Sequence, residues 1–480
     1  MAFWECAMSQ IPFEDRTLRL DFEHVEPEPE SAQGRRRARF AARAALWRAS
    51  SLKGLRWCGR FPGQSLSEQS DWVGIKKGAD SAGYAGLCAC GSTWACPRCL
   101  AMIAMTRSLE IGNAVAEVHR HGGAVYLLTL TMRHHAGHSL DELWNGLSVG
   151  WRGVFGGEEW TGRKERIRRS RRGEVRVVPG IEGHRNQLGV AGTIRSVEAT
   201  YGLPENGGHG WHLHAHVLVC VQERLHWYDV WRLASGMFMR WADAVESSGL
   251  PRPTGAGFDF RIVEDGGADF IGRYLAKATL DVASRIGAEV GGGRNTKDSR
   301  SGVNVTPFEM LHELTAGDRP VKFSWSPRRG QVQQWSPQHG LELVRLDGSA
   351  AHGTIFTVRA PGLWATWIEW EQCSKGRRQI LWSQKIKEPK NARERLWNAV
   401  LDARGREETD GQIAARALDG ELIAQIEASH FYEELSWKPD LMCALLEVVE
   451  QASDAESAQR AVANWGRENG VALEIHGRGR

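Results

Sequence analysis

Residues 210–219 read GWHLHAHVLV and carry His212, His214 and His216 at every second position. A β-strand sends alternate side chains to opposite faces. The three imidazoles therefore share one face, and Trp211, Leu213, Ala215, Val217 and Val219 form an apolar face behind them. Histidines at i and i+2 stand about 6–7 Å apart at the backbone, a workable bite for two ring nitrogens on one metal ion. In GTIRSVEAT (192–200) the same alternation puts Ile194, Ser196, Glu198 and Thr200 on one face. Pairing of that strand with the histidine strand brings Glu198 beside His214 or His216. Two imidazoles and a carboxylate with open positions suit a divalent ion that must also touch substrate. The plainer reading is a wet strand rich in histidine. It suits a single histidine better than three backed by a continuous apolar face.

The elements that must position these residues are legible around them. AVYLLTLT (124–131) is strand-like and FDFRIVE (258–264) is another strand. YGLPENGGHG, between the glutamate and histidine strands, is a run of turn residues that fits a hairpin connection. Residues 100–120, 141–155, 227–249 and 268–286 have apolar residues at helical spacing. Alternating antiparallel strands and helices predict an α+β domain with helices packed on one face of the sheet. The other face is left for a site. Residues 1–80 read as irregular with short helical pieces, 287–303 as a Gly-rich loop, and the chain beyond about 390 as helical and charged.

The chain has 480 residues, 42% apolar and 25% charged, as in an ordinary globular protein with a proper buried core. No apolar run approaches the roughly 20 residues of a membrane helix, and no basic-then-apolar leader opens the sequence, so a cytoplasmic protein without a membrane partner is expected. Nine cysteines, clustered rather than spread, point to metal ligation rather than disulfides. The net charge of +3 is uninformative, but GRRRAR (34–39) and GRKERIRRSRR (162–172) are strongly basic. Such patches suit a polyanion such as nucleic acid or, equally, a solvated loop.

These stretches together resemble a known family. GWHLHAHVLV looks like the HUH motif of single-strand DNA endonucleases, with His214-Ala215-His216 as its core. More narrowly, the chain resembles the plasmid rolling-circle replication initiators. LLTLT (127–131) is similar to the family's first motif, RSVEATYG to the approach to its histidines, and RYLAKA (273–278) to its nucleophile motif. TPFEML (306–311) and GRRQILWS (376–383) resemble further stretches of the same proteins, so the likeness spans roughly residues 88–390. It implies an HUH-type antiparallel sheet, preceded by a small zinc-binding segment and followed by a mostly helical C-terminal region. The expected divisions are 1–105, 106–290 for the catalytic domain, 291–390 for an extension, and 391–480.

The resemblance implies transesterification on single-stranded DNA. A tyrosine attacks a phosphodiester, a 5′-phosphotyrosine forms, and a free 3′-OH is released to prime replication. Tyr274 is the nucleophile by position, and Lys277 lies on the same helical face, with Phe270 and Asp281. Many relatives carry a glutamate four residues before the tyrosine, where this chain has Phe270. Asp269, one residue earlier, is the candidate for the termination step, with Glu264 and Asp265 close by. His214, His216, Glu198 and His212 are the expected ligands of Mg²⁺ or Mn²⁺.

The stretch CGSTWACPRC resembles the cysteine segment ahead of the family's first motif. CPRC spaces two thiolates across a tight turn as a zinc knuckle does. A structural Zn²⁺ on Cys90, Cys96 and Cys99 follows, with Cys88 or Cys58 as fourth ligand. Arg163, Lys164, Arg168, Arg169, Arg171 and Arg172 are the DNA-binding candidates. The implied partner is plasmid origin DNA, with a single-stranded nick site in a hairpin and flanking duplex. For residues 391–480, duplex DNA, a host helicase and simple packing all stay open. The competing readings are an HUH transposase or mobilisation relaxase, and a zinc-containing DNA-binding regulator without catalysis.

Overall fold

The computed structural model describes residues 32–63, 70–79, 81–169, 173, 175–203, 207–264, 267, 271, 304–315, 331–336, 340–345, 361–405, 407–416 and 418–475. In chain order the strands are β1 (Trp72–Lys77), β2 (Ala82–Ala85), β3 (Ala124–Thr131), β4 (Arg166–Arg169), β5 (Val175–Val178), β6 (Val190–Gly202), β7 (Gly210–Val221) and β8 (Phe258–Val263). They continue as β9 (Asn304–Val305), β10 (Gln331–Ser336), β11 (Gly340–Arg345), β12 (Ile380–Trp382), β13 (Glu421–Glu427) and β14 (Glu474–Ile475). The main helices are α1 (Ala32–Ala49), α2 (Pro97–Arg120), α3 (Leu140–Phe155), α4 (Trp227–Ser247), α5 (Pro307–Thr315), α6 (Pro361–Ser374), α7 (Ala392–Ala403), α8 (Pro439–Gln451) and α9 (Ala455–Asn469). The protein is α+β.

A central antiparallel sheet runs β12-β6-β7-β3-β8, with β9 also on the outer edge of β6. β6 and β7 form the expected hairpin, closing at Gly202 opposite Gly210. One face of the sheet lies under α3 and α4. Leu128, Leu130, Leu213, Ala215, Val217 and Val219 pack there with Leu143, Leu147, Met237 and Trp241. Each leucine, valine or methionine among them contributes about 1.5–3 kcal/mol over an exposed one. α3 begins at a capping box in which Ser139 and Glu142 satisfy each other's backbone N–H. α3 and α4 then approach so closely that a Cβ on Gly150 would lie 2.3 Å from the Trp241 ring.

The opposite face is divided. Toward the C-terminal end of β7, Leu218 and Cys220 pack with Val125, Leu127 and Ile194 beneath Ile111, Ala114, Val115 and Val118 of α2 and Leu396, Trp397 and Val400 of α7. Toward its N-terminal end the same face carries the histidines. Beyond the expected helical layer, the structure therefore adds a second, partial one, and the site lies past its edge.

A second antiparallel sheet has the order β14-β13-β1-β2. Val73 and Ile75 of β1 pack with Ile423, Ala424 and Ile426 of β13 and with Met442, Leu445, Val449 and Val462 of α8 and α9. Residues 1–80, read from sequence as irregular, contribute the 18-residue α1 and β1 to this unit. The N-terminal and C-terminal segments thus share one core, and the C-terminal region contains a strand among its helices. Bidentate pairs from Arg36 to Glu450 and from Arg37 to Glu447 tie α1 to α8.

Candidate functional site

Register does most of the work at the site. Glu198 lies directly across from His214, and Ser196 across from His216. On the other side of β7, Thr129 of β3 pairs with His216. The ligand-bearing atoms converge: His214 Nε2 is 3.0 Å from Glu198 Oε2 and 3.1 Å from His216 Nε2, and His216 Nε2 is 3.3 Å from Glu198 Oε2. The three residues form a group that could hold a metal ion. Neighbouring ligands on an octahedral ion with bonds of about 2.1 Å stand about 3.0 Å apart, so the spacing fits. The chemistry fits too, since three acceptor atoms so close repel one another unless a cation or shared protons lie among them.

The surroundings hold the set in its ligating form. His216 Nδ1 is 3.1 Å from the Thr129 hydroxyl. With Nδ1–H donating to that oxygen, Nε2 keeps its lone pair toward Glu198. Burial lowers the His216 pKa, against the pull of Glu198. Burial alone would raise the Glu198 carboxyl, but attraction to the imidazoles of His214 and His216 outweighs it. The group is held well below the usual carboxylate range. His214 Nδ1 is buried without a hydrogen-bond partner among the described residues.

His212 does not join the cluster expected of it. Its Nδ1 lies 2.8 Å from His134 Nε2, and His134 Nδ1 is 3.2 Å from the His209 carbonyl. Burial, with His214 and His134 adding to it, pushes the His212 pKa down to about 4. The ring shares the histidine face but is turned to the loop after β3. Sequence reasoning missed this His134 partner. It also missed Thr129, and Asp259 and Arg261 of β8, an ion pair at 2.5 Å whose residues pair across β3 with Thr129 and Leu127. The available signal was the alternation in FDFRIVE, which puts Asp259 and Arg261 on one strand face.

The cysteines form a separate, closed group of Cys58, Cys90, Cys96 and Cys99. Cys58 Sγ is 3.5 Å from Cys96 Sγ and 3.4 Å from Cys99 Sγ, and Cys90 Sγ is 3.6 Å from Cys99 Sγ. Bonds of about 2.3 Å in a tetrahedron separate sulfurs by about 3.8 Å, so four thiolates at this spacing suit one tetrahedral ion. Hydrogen bonds from Cys90, Cys96 and Cys99 hold the Cys58 thiol well below its ordinary pKa. Cys96 caps α2, its sulfur accepting from Cys99 N–H at 3.5 Å. Of the two fourth-ligand candidates, Cys58 is the one that lies within the group. Cys88 lies outside the group, its backbone tied to Phe61 and Gly59 and its thiol pushed up to about 11 by burial. A signal for this was present in the sequence. Cys58 and Cys90 are each followed by a glycine with φ +66°, the left-handed turn of a knuckle, whereas Cys88 is followed by alanine.

Tryptophans link the two groups. Trp94, between the cysteines, accepts at its carbonyl from Trp370 Nε1 at 2.7 Å, and Trp370 stacks on Trp211 of β7 at 5.3 Å. Trp211 donates to Glu369 at 2.9 Å. The stretches TPFEML and GRRQILWS both reach the outer side of β6. Thr306, Pro307, Phe308 and Gln379 line a cleft with Glu198, and β12 pairs with Ile194–Ser196.

Tyr274, Lys277 and Asp269 lie outside the described residues. Ile271, three residues before Tyr274, is described. It is buried in the layer with Leu218 and Cys220, on the sheet face that bears the histidines. Of the basic candidates, Arg171 and Arg172 also lie outside the described residues. Arg163 is tied to Glu158 and to the Pro179 carbonyl, while Lys164, Arg168 and Arg169 are exposed. Within the basic stretch, expected as a loop, Arg166–Arg169 form β4, which pairs with β5.

Two curated proteins are similar to the chain. One is "Protein rep" of Streptomyces lividans, 26% identical over 346 residues, or 63% of this chain and 64% of the relative. The other is "Neomycin resistance protein" of Streptomyces cyanogenus, 36% identical over 147 residues, or 29% of this chain and 32% of the relative. The chain spans less than two thirds of the length of either. No family profile and no solved structure matches it. Among the described residues no helix is long and apolar enough to cross a membrane.

Proposed function

We propose that the chain is a plasmid rolling-circle replication initiator of the HUH type, which nicks single-stranded origin DNA and becomes joined to the 5′ end. The observation that carries this reading is the convergence of His214, His216 and Glu198 on one open stretch of sheet. The likeness to "Protein rep" of Streptomyces lividans supports it. A divalent ion such as Mg²⁺ or Mn²⁺ held there would offset charge on the phosphate oxygens and orient the phosphate.

The chain's own residues supply the rest. Tyr274 is the nucleophile. Its oxygen bonds to phosphorus while the P–O3′ bond breaks, and the phenolic proton is passed on as the 3′ oxygen becomes a hydroxyl. Lys277, three residues on in the chain, favours the phenolate or binds the phosphate. Burial of Ile271, three residues before Tyr274, beside Leu218 and Cys220 supports a tyrosine that reaches the site from the histidine side. Asp269 remains the candidate for activating water at termination. Zn²⁺ on Cys58, Cys90, Cys96 and Cys99 is the structural ion, and residues 106–290 with the extension to 390 form the catalytic unit. The partner is origin DNA with its nick site unpaired, because a base-paired phosphate is hard to bring into line.

The test is nicking of a supercoiled origin plasmid with Mg²⁺ or Mn²⁺. Wild type should yield open circles carrying covalent protein, and Tyr274→Phe should yield none. Full nicking by Tyr274→Phe would leave only the readings in which this tyrosine has no catalytic part.

A further inference from the structure

Residues 166–169 and 175–178 form a two-stranded ribbon, β4 and β5, paired only with each other among the described residues. Its register sorts the side chains. Arg168 faces Arg176 directly and Arg166 faces Val178, so these share one side. Ile167 opposite Val177, and Arg169 opposite Val175, make the other. The ribbon is anchored at its base. Arg163 and Ile181 exchange two backbone hydrogen bonds of 2.8 Å, and Glu158 holds both Arg163 and Arg166. Beyond that base its apolar side chains lie open: Ile167, Val175 and Val177 are 65%, 59% and 54% exposed. A lone hairpin is marginal in water, and like charges directly opposite on a ribbon destabilise it. Arg168 and Arg176 nevertheless stand opposed, with no carboxylate paired to either among the described residues. A polyanion relieves this repulsion.

We propose that the β4–β5 ribbon is an arm that grips duplex DNA, with Arg168 and Arg176 as its principal contacts. A two-stranded ribbon fits the major groove, which is about 12 Å wide. Guanidinium groups spread over its face can engage phosphates or guanine edges. The apolar side, a hazard when bare, meets deoxyribose and thymine methyl groups there. Arg163 and Arg166 serve as the anchor, because Glu158 already engages both of them. The inference rests on the origin-nicking reading only for which duplex is gripped, namely the one flanking the nick site. It requires neither the metal nor Tyr274.

The test uses the full chain in EDTA, so that no cleavage occurs. Binding to a short fluorescein-labelled duplex and to one of its strands is followed by anisotropy over a salt series. Arg168→Ala with Arg176→Ala should weaken duplex binding at least tenfold and reduce the slope of log K against log salt by about 2, roughly one unit per arginine. Single-strand binding should change much less, and circular dichroism should be unaltered. Arg168→Lys with Arg176→Lys should restore the slope, separating lost charge from lost structure. Unchanged duplex affinity, or equal losses on both probes, would overturn the arm. So would a chain that dimerises through the ribbon, if Ile167→Asp with Val177→Asp makes it monomeric without affecting duplex binding. Nicking with Mn²⁺ is scored separately, so failure there removes the origin reading and leaves this one standing.

Discussion

The two metal-competent groups differ in how completely they close. The cysteine group has four thiols, three of them buried, drawn from a turn (Cys58), a loop (Cys90) and a helix start (Cys96, Cys99). The histidine group has three ligands from two adjacent strands, with Glu198 and His214 only partly buried. Four soft ligands complete a tetrahedron and leave nothing to react, whereas three mixed ligands leave positions for substrate. The difference lies in the backbone. Knuckles and a helix cap wrap an ion on all sides, while a pleated sheet presents its ligands from one side only. The first group should therefore carry stability and the second chemistry.

That division can be broken by exchanging the expected effects. The largest should come from His214→Ala with His216→Ala. Cleavage should fall by at least about a thousandfold, or about 4 kcal/mol of barrier, while the melting temperature in EDTA falls only slightly, as Glu198 loses the partners that offset its burial. A large drop in melting temperature would make the histidines structural and erase the contrast. Next, Cys96→Ser or removal of zinc by a strong chelator should destabilise the fold by several kcal/mol, because binding energy at a structural site is folding energy. Calorimetry with metal analysis would detect this.

Finer tests sharpen the comparison. Thr129→Val removes the hydroxyl that faces His216 Nδ1 and should weaken Mn²⁺ binding by about 10–100-fold, measured by titration calorimetry, with stability nearly constant. Gly91→Ala forces a side chain into a left-handed backbone with Gly411 Cα 2.9 Å away. It should cost about 1–2 kcal/mol, read from denaturant melts, and leave Mn²⁺ affinity alone. Cys88→Ala should be the mildest, within about 1 kcal/mol and with full zinc content, because Cys88 lies outside the thiol group.

How much of this was legible in sequence depended on whether the controlling interaction was local. β3 was read as 124–131 and spans Ala124–Thr131, because its alternation and its buried residues coincide. Glu198 could be placed opposite the histidines from strand parity and a hairpin alone. His212 misled because parity fixes a face, not a rotamer, and its partner His134 comes from another strand's exit. The pairing of β1 with β13 spans some 350 residues, and nothing in WVGIKK or ELIAQIE names the other. The ribbon hid inside a charge run, because arginines on both faces mask the two-residue period. Cys58 was left undecided against Cys88 for want of weight on the Cys-Gly turn, which is a local signal after all.

Tyrosine attack at a metal-bound phosphate is tested most directly by incubating the protein with a labelled single strand spanning the origin nick site, with Mn²⁺ or with EDTA, and mapping any covalent product by peptide mass spectrometry. A DNA-linked peptide containing Tyr274, formed with Mn²⁺ and lost with EDTA or with the His214→Ala, His216→Ala protein, is the predicted result. An adduct that forms in EDTA, or that maps to another residue, would contradict it.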